Sequence, residues 1–226
     1  RGQRNTTDLA KYWAYARQVR PDQLKSEDVT DYSELMAESQ TMISAQVLEA
    51  YRFDRHKRLL DVGGGAGVFA AAALSSHPSL SACVFDLPAV CELARNRFVE
   101  LGLEDRAETS GGSFLTDELP SGHDLISLIR ILHDHNDDVV IHLLQSIRRS
   151  IKPEGVLLIA EPMLQTRGAE PVTAAYFNFY LMAMGQGRPR SRQMIESMLK
   201  RTGFDSLKEH QSSASLLVRV LTARPI

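Results

Sequence analysis

Residues Arg58 to Gly67 read Arg-Leu-Leu-Asp-Val-Gly-Gly-Gly-Ala-Gly, a short apolar run that passes directly into a cluster of glycines and then an alanine-rich stretch. A chain with this order folds locally as strand, tight turn and helix. The glycines leave bare backbone beside a helix N-terminus, so a ligand can approach closely and meet unsatisfied amides. Nineteen residues after Gly67 the next apolar run ends at Asp86, within Phe85-Asp86-Leu87-Pro88. A carboxylate at the tip of a second strand accepts hydrogen bonds from both hydroxyls of a ribose. The two segments together point to a parallel α/β sheet that binds an adenosine derivative.

Asp61 discriminates among such ligands. The dinucleotide fingerprint G-x-G-x-x-[GA] can be laid over Gly65, Gly67 and Ala70, so the glycines alone admit NAD and an oxidoreductase. Asp61 places a carboxylate at the mouth of the loop, where it repels a pyrophosphate and attracts a cation. S-adenosylmethionine (SAM) carries both a sulfonium and an ammonium. The plain alternative is a tight turn with no ligand, which leaves Asp86 without a purpose.

From Arg58 onward, short apolar runs alternate with helical stretches, the signature of βαβ units. The pattern predicts strands over Arg58–Val62, Ala82–Asp86, Arg106–Ser110, Asp124–Leu132, Gly155–Glu161 and Leu216–Thr222, with helices between them. The last of these has no helix after it and is expected to pair antiparallel at the sheet edge. Ahead of this unit, Thr6–Gln18 carries Leu9, Tyr12, Trp13 and Tyr15 at near-helical spacing. A polar linker, Pro21–Asp28, leads to an amphipathic segment, Tyr32–Tyr51, with Leu35, Met36, Met42, Ile43, Val47 and Leu48 on one face. The expected division is therefore a helical segment over residues 1–55 and an α/β domain over 56–226.

The 226 residues are 43% hydrophobic, enough for one good-sized core, and the formal net charge is -2. That charge, with no Lys/Arg-rich run, argues against nucleic acid as a partner. Cys83 and Cys91 suit reduced core thiols, which implies a cytoplasmic setting rather than a disulfide framework. No run of about 18 apolar residues and no signal pattern is seen in the sequence. Association with a membrane surface stays open.

In a parallel sheet, ligands sit beyond the carboxyl ends of the strands. Asp61, Gly63, Asp86, Ser113, His133 and Glu161 each fall at or just after a predicted strand end, so they should converge. His133 is the candidate general base, because imidazole titrates nearest the working pH. Its plain alternative is a role in starting the helix Asp137–Ile151, where Asn136, Asp137 and Asp138 form an acidic first turn. His133, Asp134, His135, Asp137 and Asp138 could suggest a metal, but they lack a recognised ligand spacing and alternate residues of a strand point apart.

Leu59–Gly67, Phe85–Pro88, Gly111-Gly112-Ser113-Phe114, Leu132-His133-Asp134-His135 and Ala160-Glu161-Pro162 occur in the order and spacing of a known family. The chain resembles the SAM-dependent O-methyltransferases related to caffeic acid O-methyltransferase. Tyr176–Tyr180, Ala183–Arg190 and His133-Asp134-His135 look most like the bacterial carotenoid hydroxyl O-methyltransferases, which act on hydroxyneurosporene or demethylspheroidene. The resemblance implies a class I methyltransferase fold, a Rossmann-like sheet with helices on both faces, and metal-free methyl transfer. His133 matches the catalytic His, and Glu161 the acidic residue that orients it. Gly63, Gly65, Asp61 and Asp86 match the cofactor site, joined by Ser113, Phe114 and, beside the position usually held by lysine, Arg130. Ser113 replaces the usual Asp, Ile129 the usual Lys, and Pro189 stands where a second acid is expected, so a two-acid clamp is in doubt.

The segment Ala174–Met184 gathers Phe177, Tyr180 and Met184 with other aromatics and methionines, which could line a pocket for a long apolar acceptor or simply be core. The basic loop Gly187–Arg192 reads as solvent-facing, with Ser191 capping the next helix; contact with anionic lipid or closure over the cofactor are its alternatives. Members of the family carry an N-terminal helical dimerisation region that is not seen here, so the chain reads as a fragment of a homodimer. The expected reaction is methylation of a hydroxyl on a lipophilic acceptor, most specifically a 1-hydroxycarotenoid. A phenolic or polyketide acceptor is the alternative within the class, and a catalytically silent SAM-binding protein the alternative outside it.

Overall fold

The computed structural model describes residues 40–166, 187–211 and 218–226. The expected helix Thr6–Gln18, the first part of Tyr32–Tyr51, and the whole of Ala174–Met184 with Phe177, Tyr180 and Met184 lie outside the described residues. Residues 40–50 are helical (α1), as the amphipathic reading of Tyr32–Tyr51 expected for that part. The chain then alternates β1 (Arg58–Val62), α2 (Val68–Ser76), β2 (Ser81–Asp86), α3 (Pro88–Glu100), β3 (Ala107–Gly111) and β4 (His123–Ile129). A 3-10 turn, Leu132–Asp134, precedes α4 (Asp137–Ser150) and β5 (Ile151–Glu161). After β6 (Met163–Leu164) come β7 (Arg190–Ser191), α5 (Arg192–Arg201), β8 (Phe204–His210) and β9 (Arg219–Pro225).

Seven strands form one sheet in the order β3-β2-β1-β4-β5-β9-β8. The first five run parallel and β9 runs antiparallel to both β5 and β8. Alternate residues of each strand feed opposite faces. Leu59, Val84, Leu125 and Leu158 pack with Ile43 and Val47 of α1, Phe69 and Leu74 of α2, and Phe98 of α3. Leu60, Phe85, Ile126 and Leu157 pack on the other face with Val140, Leu144 and Ile147 of α4 and Ile195 and Leu199 of α5. Coverage on both faces is why β1, β2 and β4 read as continuous apolar runs instead of alternating ones.

Two strand expectations need correction. The last strand is antiparallel as expected, yet it is not at the edge: β8 lies outside it. Phe204-Asp205-Ser206-Leu207-Lys208-Glu209-His210 buries only Phe204 fully and leaves its charges to solvent, the character of an edge strand that resists pairing with other chains. That polarity hid it in the sequence. β4 ends at Ile129 and not at Leu132, because Arg130 turns to a φ of 61° and the next residues coil into the 3-10 turn.

Phe98 is fully buried and lies under the glycine loop, its ring against Gly67 and Ala94. Phe98→Ala is expected to cost about 3–5 kcal/mol in urea unfolding, the range for emptying an aromatic site in a core.

Candidate active site

The carboxyl ends of β1, β2, β3, β4 and β5 share one rim, and the residues singled out from sequence collect there. The chain leaves β1 through Gly63, whose amide donates to the Phe85 carbonyl at 2.8 Å. Gly65 then takes a φ of 58° and donates its amide to Asp86 Oδ2 at 2.8 Å. A Cβ at Gly65 would meet nothing within 4 Å, so this bend faces open space at the rim. Gly63, at a φ of 70°, has the opposite reason: a Cβ there would lie 2.5 Å from Ile131 Cδ1. The loop therefore needs one glycine for ligand access and one for close packing against the His133 turn.

Asp86 ends β2 with both oxygens engaged. Oδ2 accepts from Gly65 and Oδ1 accepts from the Leu87 amide at 2.7 Å. Burial raises its pKa, and those two amides oppose the rise. Each oxygen keeps lone-pair capacity for a ribose hydroxyl.

Asp61 is buried on the face opposite Leu60. Its Oδ1 accepts from the Ser127 hydroxyl at 2.6 Å, and Oδ2 has no hydrogen-bond partner among the described residues. Burial pushes its carboxyl up to about 7, with Ser127 resisting and Asp86 adding to the rise. A buried acceptor lacking a donor is costly. An ammonium brought to the loop mouth would supply both donor and charge.

Ser113 is nearly buried, but its hydroxyl is drawn into its own turn: Oγ accepts from Leu115 at 3.3 Å, and its amide donates to Asp117 Oδ2 at 2.8 Å. Phe114 is half-buried and meets His135 edge-on, with ring centres 5.2 Å apart. Arg130 donates its amide to the Ala160 carbonyl at 2.8 Å, and its charge is near enough to His133 to oppose protonation there. A non-glycine residue at positive φ is strained. Here the strain swings the chain off β4 and across the sheet end.

His133 sits in the resulting 3-10 turn, 3% exposed, with Nδ1 2.7 Å from Glu161 Oε2. The other oxygen of Glu161 accepts the amides of Ile131 at 2.7 Å and Leu132 at 2.6 Å. A proton on Nδ1 is held by Glu161 Oε2, which leaves Nε2 as the nitrogen that takes or gives a proton. Nε2 is 3.3 Å from Asp134 Oδ1, an ion-pair distance without hydrogen-bond geometry. Burial pulls the imidazole pKa down, but Asp134 and Glu161 outweigh it, and the net shift is upward.

The loop Gly187–Arg192 differs from its solvent-facing reading. Arg190 is 2% exposed. It pairs with Asp137 at 2.7 Å and donates to the carbonyls of Leu132, His135 (2.7 Å) and Arg188. β7 pairs with β6, Met163 opposite Arg190, which seats the guanidinium under the turn. The Arg188 amide also donates to the His133 carbonyl at 2.9 Å, while its side chain pairs with Asp137. Ser191 caps α5 as expected, its Oγ accepting from Met194 at 3.3 Å. Pro189 supplies no carboxylate, and the second acid beside His133 is Asp134. Sequence reading missed Arg190 because a cluster of three arginines looks like a wet loop, whereas Pro189, Arg190 and Ser191 are all buried. Arg190→Met is expected to destabilise the fold by about 3 kcal/mol in denaturant titration, since it strands the carbonyls of Leu132, His135 and Arg188 and leaves Asp137 to Arg188 alone.

Comparison with known proteins shows the family. The O-methyltransferase domain family matches residues 14–205. Demethylspheroidene O-methyltransferase of Cereibacter sphaeroides is 39% identical over 203 residues, covering 89% of this chain and 53% of that protein. Its counterpart in Rhodobacter capsulatus is 36% identical over 221 residues, covering 96% and 53%. The chain thus spans about half the length of these curated relatives. Among solved structures, LaPhzM superposes with a TM-score of 0.82 at 29% identity, over 88% of this chain and 59% of that one. With five parallel strands, an antiparallel β9 and the family match over most of its length, the chain belongs to the O-methyltransferase domain family.

Proposed function

We propose that this chain is the catalytic part of a SAM-dependent O-methyltransferase whose acceptor is a hydroxyl on a lipophilic molecule, in the finest reading a hydroxylated carotenoid. The observation that carries the reaction class is the buried His133–Glu161 pair, 2.7 Å apart, on the same rim as Asp61, Gly65 and Asp86. The resemblance to the demethylspheroidene enzymes supports the acceptor class. When bound, SAM supplies an electrophilic methyl group on a sulfonium. The residues present fit it: Asp61 Oδ2 for the ammonium, Asp86 for the ribose hydroxyls, and the open bend at Gly65 for close approach. Ser113 and Phe114 stand at the end of β3 for the adenine side, and Arg130 lies beside the His133 turn.

His133 Nε2 takes the acceptor's proton as the oxygen attacks. A tertiary alcohol is far less acidic than a phenol, so proton removal has to accompany attack. The carboxylates of Glu161 and Asp134 make the imidazole a stronger base and stabilise the imidazolium that forms. Much of the acceleration comes from holding oxygen, methyl and sulfur in line, which the Glu161 and Arg190 contacts serve by fixing the turn. Phe177, Tyr180 and Met184 are assigned to the acceptor pocket on sequence alone. Dimerisation through preceding residues and contact with a membrane surface belong to the same proposal; no helix among the described residues is long and apolar enough to cross a membrane.

Turnover of SAM by the full-length protein, followed as S-adenosylhomocysteine (SAH) release, tests the acceptor. A detergent-dispersed 1-hydroxycarotenoid is expected to be methylated and a phenol mixture is not; turnover on phenols alone would remove the carotenoid assignment and keep the His133 chemistry.

Two substitutions test the roles. His133→Gln is expected to lower kcat by about 100-fold or more with SAH affinity nearly unchanged. Neutral His133 is the base, so kcat/KM should rise with pH through the raised pKa of that ring. Glu161→Gln removes one of the two groups that raise it, and the acid limb is expected to move to lower pH as kcat falls.

Asp61→Asn tests the cation site. A carboxyl whose folded pKa is raised costs stability as pH climbs from its unfolded value toward about 7. Replacing it should therefore raise the melting temperature of the ligand-free protein at neutral pH. SAH binding, measured by calorimetry, should weaken at least about tenfold, by loss of a charge-assisted contact.

A further inference from the structure

Cys83, Glu108 and His123 lie outside the site just described and have no part in it. Cys83 projects into the α4 face of the sheet, and Glu108 is its register partner on β3, so both side chains leave the same face. His123 opens β4, on the far side of β1. A thiol sulfur, a carboxylate oxygen and a ring nitrogen from the three lie within 4.8 Å of one another.

The histidine supplies the independent clue. It is 2% exposed, and its Nδ1 has no hydrogen-bond partner among the described residues. A buried ring nitrogen without a partner, on a histidine that closes on a thiol and a carboxylate, is a polar atom left for a ligand to satisfy. Glu108 already attracts a cation, since the Arg58 guanidinium approaches it to 3.9 Å. Arg58 is half-exposed and free to swing toward solvent when another cation takes its place.

We propose that Cys83, Glu108 and His123 form a site for a divalent transition-metal ion of borderline softness, with zinc the best fit, leaving one coordination position to solvent. One thiolate, one imidazole and one carboxylate suit zinc and exclude magnesium and calcium, which take oxygen sets. Binding breaks the Cys83 S–H bond, releases that proton to solvent and forms a sulfur–metal bond, with no change in oxidation state. The ion would clip β3, β2 and β4 together across β1. His123 and the His133 turn lie at opposite ends of β4, about 20 Å of strand apart, so the role is structural and methyl transfer stays metal-free.

The test uses the full-length protein, stripped of metal and titrated with Co2+ as the spectroscopic probe. One equivalent is expected to give a thiolate-to-cobalt charge-transfer band in the near ultraviolet, displaced by Zn2+. The band should vanish in Cys83→Ser and persist in Cys91→Ser. Because Glu108 is exposed, Glu108→Gln leaves the fold intact, and it should weaken Co2+ at least about tenfold, the loss typical even of outer contacts. Zn2+ should raise the melting temperature of the parent protein and do so less in Glu108→Gln. Absence of the band, its survival in Cys83→Ser, or unchanged Co2+ affinity in Glu108→Gln would each overturn the site.

Discussion

The carboxylate of Glu161 is the contact on which the rest of the centre depends. One oxygen takes two backbone amides and the other takes His133 Nδ1, so a single buried side chain sets both the path of the chain after β4 and the orientation of the ring. A carboxylate 2% exposed is costly to bury unless its acceptor sites are filled. Three short hydrogen bonds fill them. The strain at Arg130 is tolerated on the same account, because the turn it begins is tied down at once.

Around that contact the rim divides its charge. Asp61 and Asp86 sit on the glycine-loop side, raised toward neutrality by burial, with Asp86 tied to the loop by the Gly65 amide. Glu161 and Asp134 sit on the histidine side and raise the ring's basicity. Arg190 and Arg188, paired with Asp137 below the turn, keep this concentration of carboxylates from repelling itself apart. The rim thus gathers four carboxylates, Asp61, Asp86, Glu161 and Asp134, around its glycine loop and His133 turn.

Much of this was legible in the residues. The β1 loop, Asp86, the parallel order and the convergence of Asp61, Asp86, His133 and Glu161 all follow from apolar runs that stop at polar residues, because strand ends in a parallel sheet share a rim. What escaped was set by tertiary contacts with no local period. β8 is polar because it is an edge. Arg190 is buried because β6 pairs with β7 and draws it in, and neither two-residue strand has a pattern of its own. Ser113 stands at the end of β3 as read, and its hydroxyl also accepts from the Leu115 amide, a local bond that residue identity does not reveal.

The brace from Arg190 also bears on the order in which the centre is made. Residues 58–161 carry the glycine loop, His133 and Glu161, and they leave the ribosome before residue 190. Their turn is clasped only by a guanidinium that arrives from residue 190, after β6 has formed an edge for β7 to join. A nascent chain that has already made five of the seven sheet strands therefore still holds an unclasped His133 turn, and α5, β8 and β9 are made only after its clasp.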